Sequence, residues 1–133
     1  MAQEFNLPEK ISKTEAHMIM NSKVHFVQEG ISIKATIELL LKCQISGVPV
    51  VDVNNKLIGI ISEQDLLIQS ATKDLKSPIE FTRQVAYVHP TTPLSEILKI
   101  LYTKRYKRLP VINQNKTIVG IISRIDVLKK ILH

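Results

Sequence analysis

At 133 residues the chain can bury roughly two thirds of the surface its unfolded form exposes, so it needs neither a metal nor a disulfide framework to hold it together. Its one cysteine excludes an intramolecular disulfide, and an aromatic share of 5% without Trp leaves a core of Ile, Leu and Val. The net charge of +6 favours anionic partners; no apolar run approaches the roughly 20 residues of a membrane helix and no basic-then-apolar leader opens the chain, so a cytoplasmic protein without a membrane partner is expected.

Residues 1–23 read as a polar leader and a short amphipathic helix, Ile11 to Met20, with Ser12 and Glu15 spaced as a capping box. Such a helix could dock on the rest of the chain or on a sister copy. Residues 24–72 then run through a short strand, Val24 to Val27, and a helix whose apolar residues Ile33, Ile37, Leu40 and Leu41 share one face. Two β-branched runs follow, Val48 to Val53 and Leu57 to Ile61, joined at Asn54-Asn55, residue types that tolerate a left-handed turn. Their continuous hydrophobicity predicts a hairpin buried on both faces. A closing helix begins after Ser62.

Residues 73–84 form a linker and lead-in, and residues 85–133 repeat the plan: strand Val85 to Val88, a helix with Leu94, Leu98, Leu101 and Tyr102 on one face, a hairpin, and a helix after Ser123. Thr92 and Pro93 suit the N-cap and first turn of the helix they precede. The duplication is gapless from about Val27 to Ile68 at an offset of 61 residues, the step from Pro49 to Pro110, from Gly59 to Gly120, from Ser62 to Ser123 and from Asp65 to Asp126. Alone, each βαββα unit leaves an apolar sheet face open. The predicted fold is therefore α/β (α+β), two tandem units packed sheet to sheet about a pseudo-twofold axis with two related clefts.

The residues Val48-Pro49-Val50-Val51-Asp52 followed by Leu57-Ile58-Gly59-Ile60-Ile61-Ser62 and Asp65-Leu66-Leu67, with their second copy, resemble the CBS domain, and the tandem resembles a CBS pair or Bateman module. The resemblance covers about Met20 to Leu132; at the lead-in, Met18-Ile19-Met20 fits the family pattern, whereas Ile79-Glu80-Phe81 departs from it at Phe81. It implies a regulatory module, not an enzyme, that binds AMP, ADP, ATP or S-adenosylmethionine, requires no cofactor and dimerises through its repeats. It further implies that Ser62 with Asp65, and Ser123 with Asp126, hold phosphate and ribose hydroxyls, and that Arg108, preceded by Lys107, meets phosphate where the first copy has Ser46 and Gly47. Thr92 matches the Thr-rich start of the first helix in ligand-binding copies, and Val48, Leu109, Ile60 and Ile121 are placed to wall the base.

Each motif also has a plainer reading. Ser-x-x-Asp before an apolar helix is a capping box in its own right, compatible with ligand contact. The glycines and prolines of the hairpins suit backbone geometry alone. Cys43 has no His placed by motif to activate it, and the four His residues lack metal-ligand spacing. Two alternatives remain open: a ligand-free dimerisation or docking module, and nucleic-acid binding through the basic stretch 103–108, which includes Lys104, Arg105 and Tyr106.

Overall fold

A computed structural model describes residues 7–104 and 107–133. The elements in chain order are α1 (Glu9–Ser12), α2 (Ala16–Ile19), β1 (Val27–Gln28), α3 (Ile33–Cys43), β2 (Gly47–Val51), β3 (Leu57–Ser62), α4 (Glu63–Thr72), α5 (Leu94–Lys104), β4 (Arg108–Ile112), β5 (Ile118–Ser123) and α6 (Arg124–Leu132). They form two compact units, His25–Val85 and the combination of Met1–Val24 with Ala86–His133.

In the His25–Val85 unit, β1 pairs parallel with β2, and β2 pairs antiparallel with β3, Gly47 opposite Ser62 and Pro49 opposite Ile60. The register slips between Val50 and Val51, giving the hairpin a bulge. The turn is set by Asp52, whose Oδ1 accepts from the backbone N–H of Asn54 at 2.8 Å and of Lys56 at 3.0 Å, while Asn55 takes the left-handed conformation at φ 62°. Helix α3 begins at Ser32, whose hydroxyl accepts from Ala35 N at 3.0 Å, and ends on Gln44 at φ 55°. Ile33, Leu40, Val48, Val50, Ile61 and Leu66 close one aliphatic core, each fully buried side chain contributing roughly 1.5–3 kcal/mol of transfer free energy. The hairpin differs from expectation in one respect. Strand β2 is buried on both faces, but β3 alternates, with Leu57, Gly59 and Ile61 inside and Ile58, Ile60 and Ser62 half-buried, because only one of its faces meets this core.

The second unit repeats the pattern. Strands β4 and β5 pair in the same register, Arg108 opposite Ser123 and Pro110 opposite Ile121, with the bulge recurring between Val111 and Ile112. Val88 contributes a single parallel bridge to Val111 where the sequence suggests a strand from Val85. The turn uses Asn113 Oδ1 as Asp52 is used, accepting from Asn115 N at 2.9 Å and Thr117 N at 3.0 Å; Lys116 takes the left-handed position at φ 64°.

The leader is integral to this unit. Ile11 and Ala16, 7% and 0% exposed, share its core with Leu94, Ile97, Leu101, Leu109 and Ile122. Thr14 O accepts from Leu94 N, and Ala16 N and His17 N donate to Thr92 O and Pro90 O, all within 2.8–2.9 Å. The single helix expected from Ile11 to Met20 is broken into α1 and α2, and the Ser12–Glu15 box does not form: the Ser12 hydroxyl donates to Glu9 O, and Glu15 is itself the N-cap of α2. Tertiary hydrogen bonds to Thr92 and Pro90 satisfy N–H groups that a continuous helix would have kept for itself.

The lead-in segments are exchanged. Asn21, which precedes the first repeat, forms an antiparallel bridge to Ile121 of the second, with N–H···O distances of 2.8 and 2.9 Å. Thr82, which precedes the second repeat, bridges Ile60 of the first at 3.0 and 3.1 Å. Each lead-in thus lengthens the sheet of the other copy. The hairpin glycines make this possible: a Cβ on Gly59 would lie 2.4 Å from Phe81 Cδ2 and 2.5 Å from Thr82 O, and one on Gly120 would lie 2.4 Å from Met20 Sδ. Close approach of the crossing segment, more than strand geometry, requires glycine there.

Candidate functional site

At the head of each hairpin the last residue of the second strand becomes the N-cap of a helix. Ser123 at φ −104°, ψ 166° closes β5 and opens α6; its hydroxyl faces Asp126 N at 3.3 Å, while Asp126 Oδ2 accepts from Ser123 N at 2.8 Å and Ser123 Oγ at 2.9 Å. Ser62 and Asp65 reproduce this at the start of α4, with 2.9 Å to both Ser62 donors and 3.2 Å for the return bond. The plainer reading is therefore realised: both pairs are reciprocal capping boxes. Both bonds fall on Oδ2, and Oδ1 of each aspartate accepts from none of the described residues, so capping and contact with a further hydroxyl are compatible.

The register brings Arg108 directly opposite Ser123, so a guanidinium, a hydroxyl, a carboxylate and the first N–H groups of α6 share one end of the hairpin, with exposed Lys107 alongside. In the first copy Gly47 stands opposite Ser62, and a Cβ there would meet Ile61 O at 3.0 Å. Half-buried Ile60 and Ile121 lie on the face away from the core, next to Thr82 and Asn21 of the crossing lead-ins. The lead-in residues were not legible as neighbours of the motif in sequence. Their only trace is the glycine one position before each bridge, spaced for a close approach.

Three expected contacts are not assembled. Val48 and Leu109 are 1% and 0% exposed inside their own cores; each sits one residue from the hairpin head and its side chain points inward by strand alternation, so neither can wall a base. Thr92 is also elsewhere: Val88 pairs with Val111 and His89 Nδ1 contacts Ile112 O at 3.0 Å, at the opposite end of β4 from Arg108, about 13 Å along the strand. The Thr92 hydroxyl accepts from His89 N at 2.9 Å, a turn contact that looks back from the helix instead of capping it.

These two equivalent halves, in register through Pro, Gly, Ser and Asp, match the CBS domain model at residues 16–71 and 75–133. The chain belongs to the CBS domain family. A CBS pair with the same fold is that of protein MJ0100, solved with 5′-methylthioadenosine and S-adenosyl-L-methionine: TM-score 0.76, 27% identity, over 88% of this chain and 94% of that one. CBSX2, solved with AMP, gives a TM-score of 0.77 at 26% identity over 89% and 96% of the two chains. An uncharacterized 17.7 kDa protein of Acidianus ambivalens is 27% identical over 90% of this chain and 74% of its own length. Other relatives are much longer; the chain spans 36% of an uncharacterized protein of Methanocaldococcus jannaschii and 25% of an inosine-5′-monophosphate dehydrogenase of Aquifex aeolicus.

Elsewhere in this CBS pair, Cys43 does have a histidine partner, His25 Nδ1 at 3.7 Å, brought from 18 residues upstream by the fold and invisible as a motif. Among the described residues no group of three or more His, Cys, Asp or Glu side chains could hold a metal, and no helix is long and apolar enough to cross a membrane. Arg105 and Tyr106 of the basic stretch lie outside the described residues.

Proposed function

We propose that the chain is a regulatory CBS pair that binds adenosine-containing ligands at the two hairpin heads, Ser123, Asp126, Arg108, Lys107 and Ile121 forming one site and Ser62, Asp65 and Ile60 the other. The observation that carries this reading is the carboxylate of Asp126, one oxygen of which accepts from none of the described residues, beside a capped helix N-terminus and Arg108. A carboxylate suits ribose hydroxyls, and the helix N-terminus with a guanidinium suits phosphate. The ligands held by the CBS pairs of MJ0100 and CBSX2 support the choice of adenosine derivatives. Occupancy acts on a regulated protein only through unequal affinity for two conformations.

A ligand at one hundred times its dissociation constant stabilises its site by about 2.7 kcal/mol, a melting shift on the order of 10 °C in a domain of this size. AMP, ATP, S-adenosylmethionine and 5′-methylthioadenosine at millimolar concentration test this directly. No shift with any of them leaves the ligand-free module as the reading.

The same CBS pair presents a surface suited to a second copy of itself. A groove of about 270 Å³ between α3 and α4 is lined by Ile37, Leu40, Leu41, Ile45, Leu66 and Leu67, with Glu63 and Ser70 as its polar members. Leu41 and Leu67 are 74% and 71% exposed, and the equivalent Tyr102 and Leu128 of the second repeat are 64% and 58% exposed. An apolar face written twice in one chain suits homodimerisation, which light scattering on wild type and Leu67→Lys checks.

A further inference from the structure

The two hairpin heads carry opposite charge, and we infer that they sort adenosine derivatives by charge: the second-repeat head takes the phosphorylated ones, and the first-repeat head takes uncharged or cationic ones, such as a nucleoside, its thioether or its sulfonium. This rests on the nucleotide-binding reading above and adds the ligand class of each site.

Split by unit, the sequence gives twelve Lys and Arg against five Asp and Glu in Met1–Val24 with Ala86–His133, and six against seven in His25–Val85. The entire positive balance of the chain thus falls in one unit. It is concentrated where the register matters. Arg108 opposite Ser123 is replaced by Gly47 opposite Ser62, and the residue that opens the helix is Arg124 in α6 but Glu63 in α4. Lys107 gives way to Ser46, whose carbonyl accepts from Glu63 N at 2.8 Å. At the Asp126 head the sequence and register place three cations, Lys107, Arg108 and Arg124; the matching positions at the Asp65 head hold Ser46, Gly47 and Glu63. Each of these positions is the cross-strand partner of the capping serine or a chain neighbour of one of the two, so their difference in charge is felt by a bound phosphate.

Isothermal titration of the full chain with ATP, adenosine and S-adenosylmethionine tests the sorting, with Asp65→Ala and Asp126→Ala assigning each heat to a site. ATP is expected to bind once, to be lost in Asp126→Ala and kept in Asp65→Ala, and to weaken with added salt; S-adenosylmethionine shows the reverse assignment. Arg124→Glu weakens ATP by about tenfold, from one charge reversal near a phosphate at intermediate dielectric, and Glu63→Arg admits a second equivalent of ATP. Gly47 is left untouched because Ile61 O crowds any side chain there. Equal affinity of both sites for ATP and S-adenosylmethionine, or loss of both ligands in the same aspartate variant, overturns the sorting while leaving nucleotide binding intact. Absence of heat with every compound removes the nucleotide reading and the sorting together.

Discussion

Replacing Gly59 with alanine is the sharpest test of the exchanged lead-ins. The added methyl would stand 2.4 Å from Phe81 Cδ2, 2.5 Å from Thr82 O and 2.7 Å from Phe81 Cε2, all well inside van der Waals contact. The Phe81 ring can swing aside, but the Thr82 carbonyl is backbone and cannot yield by rotating a side chain, so the lead-in must lift from β3. Lifting it strains the pair of hydrogen bonds between Ile60 and Thr82, at 3.0 and 3.1 Å. Overpacking costs about 1–3 kcal/mol and each weakened hydrogen bond about 0.5–1.5 kcal/mol, so a loss of roughly 2–4 kcal/mol is expected. Gly120→Ala provides the internal control, because the nearest atoms its methyl meets belong to the Met20 side chain, Sδ at 2.4 Å, Cγ at 2.7 Å and Cβ at 3.0 Å. It should cost about 1 kcal/mol or less, since methionine adapts to irregular space. Urea unfolding monitored by circular dichroism gives both numbers, and native-state hydrogen exchange at Ile60 and Thr82 localises the first. Equal destabilisation by the two substitutions, or undiminished protection of the Ile60 and Thr82 amides in Gly59→Ala, would refute the steric argument.

Ile11→Ala should cost about 2 kcal/mol in thermal unfolding, because Ile11 is 7% exposed within the core of the second-repeat unit; a loose leader would make the change silent. Lys116→Gly should stabilise by roughly 0.5–1 kcal/mol, since Lys116 holds φ 64° in the hairpin turn, and a neutral or destabilising result in urea would contradict that geometry. Ser123→Ala removes the hydroxyl that caps α6 and should lower stability by about 1 kcal/mol even without ligand, with Ser62→Ala matching it at α4. Gln69→Leu should cost about 1–3 kcal/mol in the same unfolding assay, because the buried amide of Gln69 satisfies both Glu80 N at 2.9 Å and Glu80 O at 2.7 Å.

The sequence by itself determined the duplication, the α+β class, the order of elements within each repeat and the two serine–aspartate pairs. These are properties of short range: periodicity, turn residues and a three-residue capping spacing all act within one element or between neighbours. Asn55 in the left-handed turn follows from that local information, whereas the register of Arg108 with Ser123 also depends on the bulge between Val111 and Ile112. What only the tertiary structure decided is which distant segments complete each unit. Asn21 crosses to Ile121 and Thr82 to Ile60, Ile11 enters the core of the second repeat, and His25 meets Cys43. It also decided which aliphatic side chains face inward, removing Val48 and Leu109 from the candidate site, and it carried Thr92 to the far end of β4. The physical reason is common to these cases. An open sheet edge and an uncovered apolar face can be satisfied by any chain segment of suitable pattern, so the choice is made by long-range packing and backbone hydrogen bonding, and the sequence records it only indirectly, in a glycine that leaves room for the crossing strand.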